Sequence, residues 1–279
     1  MKNFRDKVVA ITGAGSGIGR AYAVEFARLG AYVALNDCDA EALEATRALV
    51  TEIRAGAVYT EAFDVADKDA MYRFAAHVQR ALGNTHVIIN NAGVEGAAKP
   101  VYLLDDASCE QLMRVNFYSV LYGTKAFLPQ LVANNAGAVV NVSSVFGLIG
   151  PPNYADYVAT KFAVTGFTAA LMAEFHTSPI SIHCVHPGGI ATSIAKTAAS
   201  AAFAQKYLRT PPEHIARYVI KCIQRQQPTI VYGTRAWQAW FGAHFLPTRL
   251  RKALLWHEMK AVIDTTGYQA FIRPDMSQK

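Results

Sequence analysis

Near the amino terminus an apolar run, Lys7 to Thr12, leads at once into Gly13-Ala-Gly-Ser-Gly-Ile-Gly19, and a helical pattern runs from Arg20 to Leu29 until Gly30 stops it. Strand, glycine turn and helix in this order constrain the fold more than any other stretch. The glycines let the backbone come close to a pyrophosphate, whose charge then meets the positive end of the helix. The spacing is Gly-x-x-x-Gly-x-Gly, which satisfies Gly-x-Gly-x-x-Gly in no frame, so the dinucleotide fingerprint is approximated. Glycines alone also suit a tight turn with no ligand.

Beyond Gly30 the chain keeps alternating strand and helix. Ala31 to Asn36 reads as the second strand and ends in Asp37, a carboxylate placed to accept hydrogen bonds from an adenosine ribose and to repel a 2′-phosphate. This favours NAD over NADP. Asp39 is the better cap for the helix through Arg54, which leaves Asp37 free, while Arg20 offers some charge to a phosphate. A strand from Ala57 to Phe63 closes with Asp64-Val65, a pair placed to meet adenine, and Asp67 caps a helix through Leu82. His86 to Asn90 is the next strand. Its turn, Asn90-Asn-Ala-Gly93, sits at the carboxyl end, where an open parallel sheet has its ligand crevice.

Ser108-Cys-Glu-Gln111 has capping-box form and is expected to start a long helix containing Asn116. An asparagine inside a helix commonly points to water; the alternative is that it holds a water at a break in the helix hydrogen bonds. Gly137 to Ser144 is a strand with Ser143 and Ser144 emerging at its carboxyl end, and Pro151-Pro152 introduces a helix carrying Tyr154, Tyr157 and Lys161. Only Tyr157 stands four residues from Lys161 and hence on the same helix face. A cation beside a phenol favours the phenolate, bringing proton exchange with a substrate oxygen closer to neutral pH, and Ser144 can hydrogen-bond that oxygen. Taken alone, the pair also suits a solvated helix face. Tyr154 reads as a pocket wall.

Pro179 to Val185 is a further strand, succeeded by His186-Pro-Gly-Gly-Ile-Ala-Thr192. His183, Cys184 and His186 invite a metal reading, but neighbours on a strand face opposite sides and no carboxylates join them, so no metal site is expected. The stretch 189–210 reads as a mobile substrate lid. Thr210-Pro-Pro-Glu213 has capping-box spacing ahead of a helix from His214 to Gln227, and Pro228 to Tyr232 is a last strand.

At 279 residues, 52% hydrophobic and 17% charged, the chain suits one large domain over 1–279, with a core over 5–232 and a helical extension over 235–279. No signal peptide and no membrane span are expected, and four scattered cysteines suit reduced thiols in the cytoplasm. The net charge of +6 belongs to the tail: from Gln205 onward twelve Lys and Arg face four Asp and Glu. Trp237, Trp240, Phe241, Phe245, Leu250, Leu254, Leu255 and Trp256 give this basic tail a helix-like apolar spacing. Packing on the domain or a partner subunit is the first reading, and peripheral membrane contact the second. Nucleic-acid binding is not expected, since no recognition motif accompanies the charge.

Together, Thr12 to Gly19, Asn90-Asn-Ala-Gly93, Asn116, Ser144, Tyr157-x-x-x-Lys161, Pro187-Gly188 and Thr192 resemble the short-chain dehydrogenase/reductase family over residues 5 to about 195. That resemblance implies a three-layer, doubly wound Rossmann-type α/β fold with about seven parallel strands. It implies hydride transfer between NAD (with NADP as the alternative) and a secondary alcohol or ketone, and assembly as a homodimer or homotetramer. On it, Tyr157 is the acid/base, Lys161 lowers its pKa and holds the nicotinamide ribose, Ser144 binds the substrate oxygen, and Asn116 anchors a relay water. Gly13, Ser16, Gly17, Ile18 and Gly19 line the pyrophosphate, Asp37 the adenosine ribose, and Asp64 with Val65 the adenine. Asn91, Ala92 and Gly93 make central cofactor contacts; Pro187, Gly188, Ile190 and Thr192 flank the carboxamide. The aromatic tail departs from the short Gly-rich ending of many members, which suggests a bulky apolar alcohol or ketone. An NADP-dependent carbonyl or acyl-thioester reductase is the alternative enzyme, and a non-catalytic dinucleotide sensor or membrane-associated scaffold the alternative of another class.

Overall fold

Runs rich in Val, Ile and Ala, with no polar alternation, suit strands covered on both faces. In the computed structural model, which describes residues 2–195 and 198–268, these runs form β1 (Val8–Thr12), β2 (Tyr32–Asp37), β3 (Val58–Ala62), β4 (Thr85–Asn90), β5 (Gly137–Val142), β6 (Ile180–Pro187) and β7 (Thr229–Tyr232). They build one sheet in the order β3-β2-β1-β4-β5-β6-β7, every pairing parallel. Ile11 of β1 lies level with Leu35 on one side and Ile89 on the other. The chain winds outward from β1 to β3, then returns to lay β4 on the other flank of β1. The crevice at the carboxyl ends of β1 and β4 is thus the topological switch point.

Helices cover both faces. On one, α1 (Gly17–Arg28), α2 (Ala40–Ile53) and α8 (Pro212–Gln224) bury Tyr22, Phe26, Val50, Ile215 and Val219 against the sheet. On the other, α3 (Lys68–Leu82), α5 (Ser119–Ala133) and α6 (Ala155–Glu174) bury Phe74, Phe127, Leu131 and Leu171. A third, smaller cluster lies past the carboxyl ends of the strands, where Phe146 and Tyr154 meet Tyr207 of α7 (Ala201–Tyr207) and Met259 of α10 (Thr248–Met259).

Asp39 and Asp67 cap α2 and α3 as expected, accepting from Ala42 N and Ala70 N at 3.0 Å each. Other boundaries differ. Helix α1 starts at Gly17, so Ile18 and Gly19 lie inside its first turn. Helix α4 (Asp106–Met113) is capped by Asp105, which accepts from Ser108 N at 2.8 Å; Ser108 sits inside the helix, because Asp105 offers the same bond one turn earlier. The helix beyond is not continuous: residues Arg114–Tyr118 form a π-helical segment between α4 and α5. Thr210 caps nothing, since its hydroxyl meets that of Thr234 at 3.0 Å, and α8 starts behind Pro211 with no side-chain cap. The expected tail helix is two, α9 (Ala236–Phe245) and α10, parted at Pro247. Lys196 and Thr197 of the expected lid, and 269–279 of the tail, lie outside the described residues.

Candidate active site

The glycine turn is shaped by close approach. Gly13 and Gly17 have φ of +64° and +52°, and a Cβ on Gly13 would stand 2.8 Å from Ala92 Cα, one on Gly17 3.0 Å from Thr192 Cγ2. Gly19 is the tightest, with its missing Cβ facing Gly13 O and Asn91 Nδ2. Ser16 holds the N-cap position of α1 but makes no side-chain cap bond. A side-chain-free cradle at a helix N-terminus fits a diphosphate.

Asp37 Oδ2 accepts from Gly15 N at 2.8 Å, and its Oδ1 from Asp39 N at 3.0 Å. The carboxylate is thus locked at the rim of the turn, with lone pairs to spare for ribose hydroxyls. Arg20 is not available to a phosphate as expected, because its guanidinium is engaged by Gly15 O, Ala42 O and Thr46 Oγ1. Asp64 Oδ1 caps its own turn through Ala66 N at 2.9 Å, beside the buried Val65. Asn91 braces the crevice: its Nδ2 donates to Thr12 O at 3.0 Å and Gly13 O at 3.2 Å, while Thr12 Oγ1 accepts from the backbone of Asn91 and Ala92.

Beyond the crevice stand the side chains of the chemistry. Lys161 Nζ lies 5.6 Å from the centroid of the Tyr157 ring and donates to Val142 O at 3.1 Å. Burial pushes the Tyr157 phenol up to about 12, the Ser144 side chain pulls it back, and Glu95 adds to the rise. Burial likewise pushes Lys161 down to about 8. The expectation that the cation lowers the phenol is therefore corrected: desolvation dominates both groups, and each leans toward its neutral form.

Asn116 is fully buried within the π-helical segment. Its Oδ1 accepts from Val94 N at 2.8 Å, and its Nδ2 donates to Val94 O at 2.9 Å and Thr160 Oγ1 at 3.3 Å. The side chain thus points inward, at a break in the helix. Gly93 lies against both Asn116 Oδ1 and Lys161 Nζ, so a side chain at that position would wedge between them. The two serines divide: Ser143 Oγ is spent on Lys161 O at 2.9 Å, while Ser144 Oγ, which accepts from Phe146 N at 3.1 Å, faces Tyr157.

Pro187 ends β6, Gly188 N bonds Tyr232 O, Ile190 packs into the core and Thr192 stands over Gly17. His183 bonds Gln227 O and Ser181 Oγ, His186 bonds Ser144 O, and the described residues hold no metal-binding cluster. Tyr154, expected as a pocket wall, is 5% exposed and packs against Phe146 and Phe203. The wall is Phe146, which sequence reasoning missed. It touches Tyr157 edge-on at 6.1 Å and lines a cavity of about 640 Å³ together with Ile149, Phe203, Tyr207, Trp237, Phe241, Leu254 and Leu255. Also missed was a buried polar chain beneath the site, Thr124–Asn90–Asn141–Thr168, linked at 2.9–3.1 Å. Asn90 and Asn141, both inside apolar strands, are the signal that would have found it.

A Rossmann-type sheet with a glycine cradle at its switch point and a Ser-Tyr-Lys set beside it defines the class of dinucleotide-dependent oxidoreductases. The sequence pattern of the short chain dehydrogenase family matches residues 7–202, and the chain belongs to that family. It is 38% identical over 248 residues to the putative oxidoreductase SadH of Mycobacterium tuberculosis, covering 85% of this chain and 89% of that protein. It is 36% identical over 196 residues to a 3beta-hydroxysteroid dehydrogenase of Mediterraneibacter gnavus, covering 70% of each. A short chain dehydrogenase/reductase from Burkholderia phymatum, solved in complex with NAD, superposes with a TM-score of 0.79 at 26% identity over 94% of this chain and 96% of that one.

Proposed function

We propose that this oxidoreductase interconverts a bulky apolar secondary alcohol and its ketone, with NAD preferred to NADP. The observation that carries the reading is the meeting of Ser144 and Tyr157 with an aromatic cavity through one shared wall, Phe146. The relative that acts on a hydroxysteroid supports an apolar alcohol, and Asp37 at the rim of the glycine turn supports NAD. When bound, the nicotinamide supplies the hydride acceptor or donor. Gly13, Ser16, Gly17, Ile18 and Gly19 hold the diphosphate, Asp37 the adenosine ribose, Asp64 and Val65 the adenine, and Asn91, Ala92 and Gly93 the middle of the cofactor. Pro187, Gly188, Ile190 and Thr192 hold its carboxamide end.

Ser144 Oγ and the Tyr157 hydroxyl grip the substrate oxygen from two sides, fixing the reacting carbon. Tyr157 as the phenol gives its proton to a carbonyl oxygen; in the reverse direction it first passes that proton to Lys161, and the resulting phenolate takes the proton of the alcohol. Lys161 holds the nicotinamide ribose and exchanges the proton onward, with Asn116 keeping that path open to a relay water. Phe203 and Tyr207 of α7 cover the substrate from the side of the expected lid.

Fluorescence titration with NADH and NADPH, on wild type and Asp37→Ala, tests the cofactor reading. NADH binds at least about tenfold more tightly to wild type and the preference disappears in the variant, in line with the loss of one charge-assisted contact. Tyr157→Phe retains NADH binding and loses turnover of secondary alcohols. NADPH preferred by wild type, or turnover surviving in Tyr157→Phe, overturns the reading.

A further inference from the structure

We propose that helices α9 and α10 seat the protein on an anionic lipid surface, with the mouth of the aromatic cavity turned toward the bilayer. The apolar side chains of a packed extension should be buried, yet Trp237, Phe241, Phe245, Leu250 and Leu254 are between 47% and 62% exposed. Trp237, Phe241 and Phe245 recur at four-residue spacing along α9, and Leu250 and Leu254 do so along α10, so each helix turns one apolar row outward. Trp237, Phe241 and Leu254 also line the cavity. Phe245 and Leu250 continue these rows outside the cavity lining, so the apolar surface extends past the cavity.

Charge selects the occupant. Residues 235–260 carry Arg235, Arg249, Arg251, Lys252 and Lys260 against the single acid Glu258, which pairs with Arg235. Arg249, Lys252 and Lys260 are exposed cations on or just beyond the helix that carries Leu250 and Leu254, and with exposed tryptophan on α9 this composition suits the headgroup level of an anionic bilayer. A second copy placed face to face would bring these cations together and would cover the cavity mouth. No described helix is long and apolar enough to cross a membrane, so the contact is peripheral. Entry of an apolar substrate from the bilayer rests on the function proposed above; the attachment itself does not.

The test is co-sedimentation of the full chain with vesicles of phosphatidylcholine mixed with phosphatidylglycerol, and with vesicles of phosphatidylcholine alone. Two double variants lie on α9 and α10 outside the cavity lining: Arg249→Glu with Lys252→Glu, and Phe245→Ser with Leu250→Ser. Wild type pellets with the anionic vesicles and far less with the neutral ones. Charge reversal lowers its partitioning at least about thirtyfold, since each cation near such a surface is worth about fivefold, and the serine pair lowers it comparably. All variants keep wild-type NADH binding, which separates lost attachment from lost folding. Wild type left in the supernatant overturns the proposal, as does equal pelleting of wild type and both variants. Concentration-dependent dimerisation that the serine pair abolishes, without vesicle binding, gives the face to a second copy and overturns it too. Failure of NADH binding in wild type would instead remove the proposed function and leave the sedimentation result standing.

Discussion

Lys161 is 3% exposed, its ammonium turned to a backbone carbonyl and lying over the Tyr157 ring, and burial pushes it from 10.5 down to about 8. Between those two pH values the unfolded chain keeps the proton that the folded protein has released, so stability rises with pH there. Against Lys161→Met, the unfolding free energy of wild type therefore gains up to about 1.4 kcal/mol per unit from about pH 8 upward. Urea unfolding of both proteins across that range measures the gap; a constant gap would mean the ammonium is solvated. Tyr157 works the other way at higher pH. Its pKa is raised from 10.0 to about 12, so the folded state keeps a proton the unfolded chain has lost, and stability falls as pH rises through that window. The pairing of Tyr157 and Lys161 stems from four-residue spacing, whereas the pKa directions do not, because desolvation depends on what other segments bring to the site.

At the scale of elements, the first β-turn-α unit depends on how closely α1 approaches β1. A methyl group on Gly19 would collide with the Gly13 carbonyl and with Asn91 Nδ2, the amide that braces the β1 and β4 turns. Gly19→Ala is expected to destabilise by about 1–3 kcal/mol, the range for overpacking, and to weaken NADH binding along with it. Gly166→Ala is the control: it lies in α6 with nothing within 4 Å of the added carbon, and a helical glycine replaced by alanine gains about 0.5–1 kcal/mol. Thermal unfolding of the two variants should move in opposite directions. The glycines and the caps at Asp39 and Asp67 were readable from neighbouring residues alone. The cap at Asp105 was misplaced by three residues, because Ser108-Cys-Glu-Gln111 has the same local form and only the hydrogen bonds decide between them.

Across the whole molecule, the extension closes one side of the cavity that opens beside Phe146. Phe146 comes from the loop after β5, Phe203 and Tyr207 from α7, and Trp237, Phe241 and Leu255 from α9 and α10. Leu255→Trp fills part of that space. The expected outcome is a KM at least about tenfold higher for a bulky alcohol and nearly unchanged for a small secondary alcohol, since each methylene excluded from an apolar pocket is worth about 1–3 kcal/mol. Steady-state kinetics on both substrates decides it, and an equal effect on both would detach the cavity from substrate binding. The tail is also tied to the loop that enters α6: Asn153 Nδ2 donates to Asp264 O at 2.9 Å, and Tyr268 donates to Asn153 Oδ1 at 2.6 Å.

The order of residues was enough for the alternation of strand and helix, the glycine turn ahead of α1 and the alignment of Tyr157 with Lys161, because each rests on the identity and spacing of near neighbours; the seven-stranded parallel sheet was implied by the family resemblance. It took the folded chain to show that Ser143 is spent on a backbone carbonyl, that Arg20 is engaged, that Asn116 sits in a π-helical segment, and that Phe146 is a wall of the cavity. Those facts come from contacts between segments far apart in the chain, and no local pattern encodes the distance between them.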